Sequence, residues 1–332
     1  MVDKASLRAP VLRVALALGS VYLIWGSTYL AIRFAIETVP PFLMAATRYL
    51  VAGALLYGWA RLRGAQRPTL LHWRSAVILG GFLLLLGNGG VVWAEQHVSS
   101  GLAALLISTE PIWIVFLVWL RSGRERPHAR VLAGLLLGLV GLVLLVKPSP
   151  TGGVNLLGAG AILVASLSWA WGSLYGRRAP LPSSQLAATG MQMLGGGALL
   201  LLASTVAGEP ARFDGAAVSL RSALSVGYLI VFGAVVAFTA YVWLLRVAPP
   251  VLVSTYAYVN PVVAVFLGWA LAGEPLTAGT LWAAAVILTG VALISTAPGK
   301  PAVSEKARES EKPARESGPA FEEVQAEACA SR

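Results

Sequence analysis

The chain has 332 residues, of which 57% are hydrophobic and only 12% charged, and its formal net charge is +10. Soluble domains carry about 25% charged residues, so about half of the usual polar surface is missing. This composition excludes an ordinary soluble enzyme and indicates that most of the chain lies in lipid.

Ten long apolar segments predict ten transmembrane helices. A helix needs about 20 mostly apolar residues to cross a hydrocarbon core of about 30 Å, and continuous runs such as Leu83–Leu86 lack the alternation of outer-membrane strands. The first segment follows Lys4, Arg8 and Arg13 but has no Ala-x-Ala cleavage pattern, so we interpret it as a span and not as a signal peptide. The fold class is therefore all-α and polytopic. The predicted spans are 11–33, 41–60, 74–94, 100–120, 130–147, 154–175, 185–207, 220–244, 250–272 and 278–296.

The distribution of Lys and Arg predicts how these spans are oriented. With the N-terminus in the cytoplasm, the inner connections hold 14 of these residues, whereas the outer connections hold four, namely Arg33, Lys147, Arg212 and Arg221. Both termini are therefore expected in the cytoplasm. The positive charge serves orientation and does not cluster with stacking aromatic residues, so no nucleic-acid partner is expected.

The two halves of the chain resemble each other. At an offset of 150 residues, Pro111 falls on Pro261 and Glu110 falls on Asn260. Because each copy holds five spans, an odd number, the second copy enters the membrane from the opposite side. Inverted repeats of this kind place a substrate site near the membrane midplane between the copies; a duplication kept only for a stable bundle is the alternative. Further matches are Phe116 with Phe266, Trp119 with Trp269, Trp25-Gly26-Ser27 with Trp171-Gly172-Ser173, and Ala45–Thr47 with Ala187–Thr189.

The expected organisation is a first repeat over residues 1–147, a second repeat over 148–296 and a tail over 297–332. The tail is rich in Pro and Ser and carries 6 basic and 7 acidic side chains. It has too little apolar surface to fold, so we predict a disordered cytoplasmic tail. Its Cys329 is the one cysteine of the chain, so neither a disulfide framework nor a cysteine metal site is predicted.

Two ionisable residues, Arg48 and Glu110, lie inside predicted spans, where charge is costly and usually functional. Glu110 lies near the midplane, and the depth of Arg48 lets its side chain reach that level. Arg48 is interpreted as a partner of Glu110 or of a substrate carboxylate, or else as a structural cap for helix carbonyls near Pro40-Pro41. Glu110 is interpreted as a functional carboxyl, or else as a protonated one that bonds to a backbone group freed by Pro111.

Further polar side chains in the spans are candidates for lining a cavity. Asn88 lies in the flexible Gly87–Gly90 segment and either faces the cavity or bonds only to a neighbouring helix. Tyr256 and Tyr258 stand beside Asn260 in the ninth span, where phenol groups need partners.

Candidates also lie near the outer ends of the first and third spans. They are Trp25, Ser27 and Thr28 in the first span, and Glu95 where the third span meets the outer surface. A tryptophan at this depth is alternatively an interfacial anchor. Glu95 is alternatively a solvated charge at the rim.

Several motifs of catalysis are missing from the sequence. It has no G-x-x-x-x-G-K-[ST] motif for ATP, no H-E-x-x-H motif, and no connection long enough to hold a catalytic domain. We therefore expect no cofactor, no metal and no enzyme activity. The alternative from a different functional class is a membrane-embedded enzyme that acts on a lipid-linked substrate.

Three segments carry a resemblance to a known family: Ile24–Tyr29, Gly87–Gly90 with Ala94–Gln96, and Ser254–Val263. With them, about residues 15–296 resemble the EamA family of the drug/metabolite transporter superfamily. The resemblance implies two five-helix modules around a central cavity, alternating access, and export of small metabolites, amino acids or amphipathic toxic compounds across a bacterial inner membrane. The site residues that it implies are Trp25, Ser27, Thr28, Arg48, Asn88, Glu95, Tyr256, Tyr258 and Asn260.

The sequence thus predicts a secondary transporter that exports a small organic metabolite, an amino acid or an amphipathic drug. Proton coupling is a hypothesis that depends on Glu110 and Glu95, the carboxyls nearest to the expected path; an uncoupled uniporter or exchanger is the alternative. The expected partners are the lipid bilayer, a small-molecule substrate and protons. Both a monomer and a homodimer fit the sequence.

Overall fold

The computed structural model describes residues 4–94, 96–98, 103, 106–121, 127–146, 155–272 and 277–297. Glu95, Cys329 and the predicted tail beyond residue 297 lie outside the described residues. The fourth predicted span, 100–120, is described only in part. The remaining predicted spans fall within the described ranges almost completely.

Every regular element in the described part of the chain is a helix, which confirms the predicted all-α fold. Eight helices are long and apolar enough to cross a membrane, and Ala129–Leu145 is a shorter apolar helix. This architecture agrees with a polytopic protein of about ten spans. The long helices are α1 (Lys4–Ala35), α2 (Pro41–Leu62), α3 (Leu70–Ala94), α4 (Glu110–Arg121), α5 (Ala129–Val146), α6 (Leu156–Gly176), α7 (Gln185–Val206), α8 (Leu220–Val247), α9 (Tyr256–Ala272) and α10 (Ala278–Ser295).

Polar side chains at the N-termini explain where several helices begin. The first four backbone N–H groups of a helix have no partner within it, and a Ser, Thr or Asn just before the helix accepts a hydrogen bond from one of them. Each such residue here accepts from the N–H three residues later, at 3.0–3.3 Å. These capping residues are Thr69, Asn155, Ser184, Ser219 and Thr277.

The start of α2 is held by a buried carboxylate from another part of the chain. Glu209, which lies in the short helix Glu209–Arg212, accepts hydrogen bonds from the backbone N–H of Phe42 at 3.2 Å and of Leu43 at 2.8 Å. The Ser204 hydroxyl donates to the same carboxylate at 2.8 Å. A negative charge at a helix N-terminus is favourable because of the helix dipole. Glu209 therefore fixes α2 against the end of α7.

Glycines allow two pairs of helices to pack closely. α2 lies along α7, and α5 lies along α10. A Cβ atom on Gly190 would come within 2.6 Å of the Tyr57 backbone nitrogen, and one on Gly134 within 2.6 Å of the Gly290 carbonyl oxygen. Since real Cβ atoms do not approach so closely, only glycine permits these two contacts.

The pattern of helix contacts repeats between the two halves of the bundle. α1 packs on α9 as α6 packs on α4, α3 packs on α6 as α8 packs on α1, and α3 packs on α7 as α8 packs on α2. In these pairs α1 corresponds to α6, α2 to α7, α3 to α8 and α4 to α9, and exchanging corresponding helices converts one set of contacts into the other. This is the arrangement expected of two five-helix repeats related by a pseudo-two-fold axis.

Two prolines free backbone carbonyls that serines from the opposite repeat then bind. A proline has no N–H to donate four residues back, so Pro111 leaves the Ile107 carbonyl free and Pro261 leaves the Ala257 carbonyl free. Ser166 lies 3.5 Å from the Ile107 oxygen, and Ser108 donates to the Ala257 oxygen at 3.1 Å. Both hydroxyls lie within hydrogen-bonding reach of the freed carbonyls, which need partners in a membrane interior. Ser166 is also 3.4 Å from the neighbouring Leu106 carbonyl.

A Ser-Thr turn precedes each of these two prolines and interrupts the helical backbone there. The turns, at residues 108–109 and 254–255, are alike: Thr109 donates to the Leu106 carbonyl at 2.7 Å and Thr255 to the Leu252 carbonyl at 2.6 Å. They repeat at an offset of 146 residues, whereas the prolines repeat at 150. When the two turns are aligned, Glu110 corresponds to Tyr256. When the two prolines are aligned, it corresponds to Asn260.

Candidate substrate site

An open cavity lies within the bundle, lined by α1, α2, α3, α4, α6 and α9, and thus by both repeats. The space that it encloses together with the open solvent at its mouth is about 770 Å³. The lining combines apolar side chains with a few polar groups. Its polar and aromatic members are Trp25, Thr28, Arg48, Tyr49, Asn88, Glu110, Ser166, Trp169, Tyr256 and Asn260.

An aromatic cluster, defined by Trp25, Trp169, Tyr241 and Tyr256, joins helices of both repeats at one side of the cavity. The Trp25 ring centroid lies 4.9 Å from that of Tyr256, 5.1 Å from that of Tyr241 and 5.8 Å from that of Trp169. These are distances at which aromatic rings attract each other beyond simple burial. The cluster forms an apolar wall whose shape the ring contacts fix.

Hydrogen bonds orient the rings of this cluster. The Trp169 indole donates to the Tyr241 hydroxyl at 2.8 Å, and the Ser173 hydroxyl lies 2.5 Å from the same oxygen. The Trp25 indole donates to the Gly233 carbonyl at 3.1 Å. Gly233 lies in a π-helical segment of α8, Leu229–Phe238, and α3 contains a corresponding one at Gly81–Gly89. Such segments are rare and frequently occur at functional sites.

Arg48 is buried in the cavity wall without an anionic partner. Its side chain is 4% exposed, its Nε has no hydrogen-bond acceptor, and it forms no ion pair with a carboxylate of the described residues. Its guanidinium lies over the Tyr49 ring, 4.7 Å from the centroid. In this structure Arg48 therefore pairs with neither Glu110 nor the carbonyls near Pro40-Pro41.

Glu110 is the first residue of α4 and only 2% exposed. The Tyr256 hydroxyl donates to its Oε2 atom, while its Oε1 atom has no partner among the described residues. The Asn88 Oδ1 atom also lacks a described partner. A buried polar group without a partner is destabilising, and both of these residues belong to the cavity lining.

Two other predicted residues of the cavity wall are satisfied within the protein. The Asn260 amide nitrogen, in the orientation that its acceptor neighbours require, donates to the Tyr256 carbonyl at 3.1 Å and to the Tyr22 carbonyl at 3.2 Å. The Thr28 hydroxyl donates to the Trp25 carbonyl at 2.7 Å. Both residues belong to the cavity lining and form these hydrogen bonds within the protein.

Three predicted site residues do not appear in this lining. Ser27 points toward α8, where its hydroxyl lies 2.5 Å from that of Tyr228. Tyr258 is fully buried against Gly138 of α5 and donates to the Leu135 carbonyl at 3.4 Å. Glu95 lies outside the described residues.

The structure adds lining residues that the sequence prediction did not include among its site residues, namely Tyr49, Ser166 and Trp169. On α6, Ser166, Trp169 and Ser173 recur at spacings of three and four residues, which places them on one helix face. That spacing of polar and aromatic residues in an otherwise apolar helix is the sequence signal for this wall. Tyr49 carries the weaker signal of being next to Arg48.

Comparison with known proteins shows that the chain is similar to transporters over more than 80% of its length. The inner membrane transporter YedA of Escherichia coli (strain K12) is 42% identical over 293 residues, 87% of this chain and 94% of its own length. The WAT1-related protein At3g02690 of Arabidopsis thaliana is 28% identical, covering 84% of this chain and 69% of its own length. The S-adenosylmethionine/S-adenosylhomocysteine transporter of Chlamydia trachomatis serovar L2 is 26% identical, covering 82% and 85%.

A solved crystal structure and a family profile agree with this result. The crystal structure has the same fold, with a TM-score of 0.70 and 22% identity over 90% of this chain and 98% of that one. The profile of the EamA-like transporter family matches twice, at residues 12–147 and 156–296. The predicted family resemblance is thereby confirmed, and the chain belongs to the EamA-like transporter family.

Proposed function

We propose that the protein is a secondary transporter that exports a small organic solute across a bacterial inner membrane by alternating access. Its family and the transporter names of its relatives support transport of a small molecule. One observation carries the proposal: the cavity that both repeats line has Arg48, Asn88 and Glu110 in its wall, each with a buried polar atom that has no partner among the described residues. A bundle kept only for stability has no need of such groups.

Contacts between helices on the side of the aromatic cluster away from the cavity support alternating access, because they hold the bundle closed on that side. The Tyr22 hydroxyl lies 2.5 Å from that of Thr255, and Arg177 donates to the carbonyls of Leu245 and Ala248, each at 2.6 Å. The cavity extends in the other direction, toward the C-terminal ends of α1 and α3. With the cytoplasmic termini that the Lys and Arg distribution predicts, we interpret this conformation as outward-facing.

Glu110 is the proposed proton carrier. Its buried Oε1 atom has no partner among the described residues, so a proton can bind there without breaking the hydrogen bond from Tyr256. The ionisable groups around it are Tyr256, Tyr241 and Tyr258, and Arg48 lines the same cavity. Proton uptake from the outer side and release to the cytoplasm would drive export.

The test is solute flux in liposomes that contain the purified full chain, with and without an imposed pH gradient. The panel contains amino acids, organic acids and amphipathic cations as radiolabelled compounds. Flux driven by the gradient supports a proton-coupled transporter, whereas flux that ignores the gradient contradicts coupling and leaves a uniporter or exchanger. A covalent change in a panel compound or a lipid-linked substrate would contradict the proposal in favour of an enzyme.

A further inference from the structure

Arg48 and Glu110 differ in whether the described residues supply a hydrogen-bonding or ion-pair partner for the charged group. One oxygen of Glu110 is bound by the Tyr256 hydroxyl, so this carboxyl has a protein partner. Arg48 has neither an ion-pair partner among the described residues nor an acceptor for its buried Nε. Burial of a guanidinium without an anion is costly. The cavity therefore holds one positive group for which the described chain supplies no counter-charge.

Arg48 lines the cavity and also packs against α8. The guanidinium lies beside Gly233 of α8 and the Thr28 side chain, and a Cβ atom at position 233 would come within 3.1 Å of its Nη2 atom. Glycine at this position therefore gives the guanidinium its space. The guanidinium lies over the Tyr49 ring in a residue of the cavity lining, and a guanidinium can bind a planar anion in a bidentate manner.

The arginine occurs in one repeat only. In the register of the Ala-Ala-Thr match, Thr47 falls on Thr189 and Arg48 falls on Gly190, which packs against the α2 backbone. The positive group therefore has no counterpart across the pseudo-two-fold axis. The cavity has one end that attracts an anion and an aromatic wall formed by Trp25, Trp169 and Tyr256.

We propose that the transported solute carries a carboxylate, which binds Arg48, and an apolar or aromatic body, which packs against the aromatic cluster. This inference rests on the proposed function and narrows its substrate class: amphipathic amines without a carboxylate are not substrates. The guanidinium recognises the carboxylate, and the rings recognise the shape of the remainder. Arg48 is thus a specificity-determining residue.

The test compares probes that share one body and differ in the charged group. Hydrocinnamate, phenylalanine, phenylalaninamide and phenethylamine are each offered to proteoliposomes in a counterflow assay, together with leucine and leucinamide. We expect flux of carboxylate members, with the amide and amine members at least about 10-fold slower, since hydrogen bonds to charged groups contribute about this much to binding. The wild-type comparison requires no variant and so does not depend on the folding of one.

Variants then assign the effect to one side chain. Arg48→Gln is expected to slow carboxylate flux by about 10- to 100-fold, and Arg48→Lys to retain part of it. Arg221→Gln is the matched control, because Arg221 is exposed and lies outside the cavity lining. Equal flux of acids and amides, or carboxylate flux in Arg48→Gln at the wild-type rate, overturns the inference but leaves the transporter. Flux of no probe contradicts the proposed function itself.

Discussion

At the scale of single residues, the cavity wall holds polar side chains of which one buried atom each has no partner among the described residues. Arg48 and Glu110 could be identified from the sequence, because charged residues inside apolar spans are rare. Their relation to each other could not be identified. Whether Glu110 faces Arg48 or Tyr256 depends on the turn at residues 108–109, which sets the direction of the first residue of α4. No periodicity in the sequence reveals that direction.

Replacing Glu110 by Gln tests its role as proton carrier. The amide is nearly the same size and can still accept the hydrogen bond from Tyr256, but it cannot take up a proton in the same way. We expect flux down a solute gradient to persist, while accumulation driven by a pH gradient falls about 100-fold or more, the lower end of what a positioned proton-transfer group contributes. Tracer flux in liposomes over a range of pH measures both quantities.

The control for this variant is Glu37→Gln. Glu37 is partly exposed and paired with Arg221 at 3.5 Å, away from the cavity. It is expected to leave the pH dependence unchanged. If Glu110→Gln keeps the pH dependence of the wild type, Glu110 is not the coupling residue.

Replacing Tyr241 by Phe tests whether the hydrogen bonds of the aromatic cluster hold the bundle together. The variant leaves the Trp169 indole without its acceptor and removes the contact with Ser173. An unsatisfied buried donor destabilises by about 1–3 kcal/mol, so we expect a lower apparent Tm in detergent. Tyr57→Phe, on a tyrosine whose ring packs on Trp73 at 5.6 Å, is the control. Equal melting temperatures for wild type and Tyr241→Phe would show that these bonds contribute nothing.

At the scale of helices, length and hydropathy placed the elements well. The predicted spans 154–175 and 185–207 are observed as Leu156–Gly176 and Gln185–Val206. The helical backbone around Pro111 and Pro261 is interrupted before each proline, at the Ser-Thr turns. The prolines explain the free carbonyls, while the position of each turn depends on serines that approach from the other repeat. Such tertiary contacts are not visible in one segment of sequence.

The close packing of α2 on α7 can be tested with two glycines of the same helix. A Cβ atom on Gly53 would come within 2.9 Å of the Gly190 carbonyl and of the Leu194 nitrogen, whereas one on Gly58 would meet nothing within 4 Å. We expect Gly53→Ala to destabilise the protein by about 1–3 kcal/mol because the helices must separate. Gly58→Ala should be neutral or slightly stabilising because alanine favours a helix. Thermal unfolding in detergent that ranks the two variants equally would contradict this account of the packing.

At the scale of the whole molecule, the repeat determines where a solute can bind. The sequence revealed two copies through matched tryptophan and proline positions, and the family profile matches each copy separately. The detailed register could not be obtained in this way, because the turns and the prolines repeat at different offsets. The structure places the cavity where the copies meet, and the two copies contribute different groups to it. This difference between the copies gives the cavity chemical polarity within a nearly symmetric scaffold.

The most direct test of the central claim is the accessibility of Asn88 from the two sides of the membrane. Asn88→Cys is made in a Cys329→Ser background, which removes the one natural cysteine, and a membrane-impermeant thiol reagent is applied to either face. Leu23→Cys on α1, a position that is 64% exposed outside the cavity lining, is the control and should react from neither side. A cavity that opens alternately predicts that the thiol introduced by Asn88→Cys reacts from both faces and that a transported solute slows both reactions. Reaction from neither face, or from one face only under every condition, would contradict transport through this cavity.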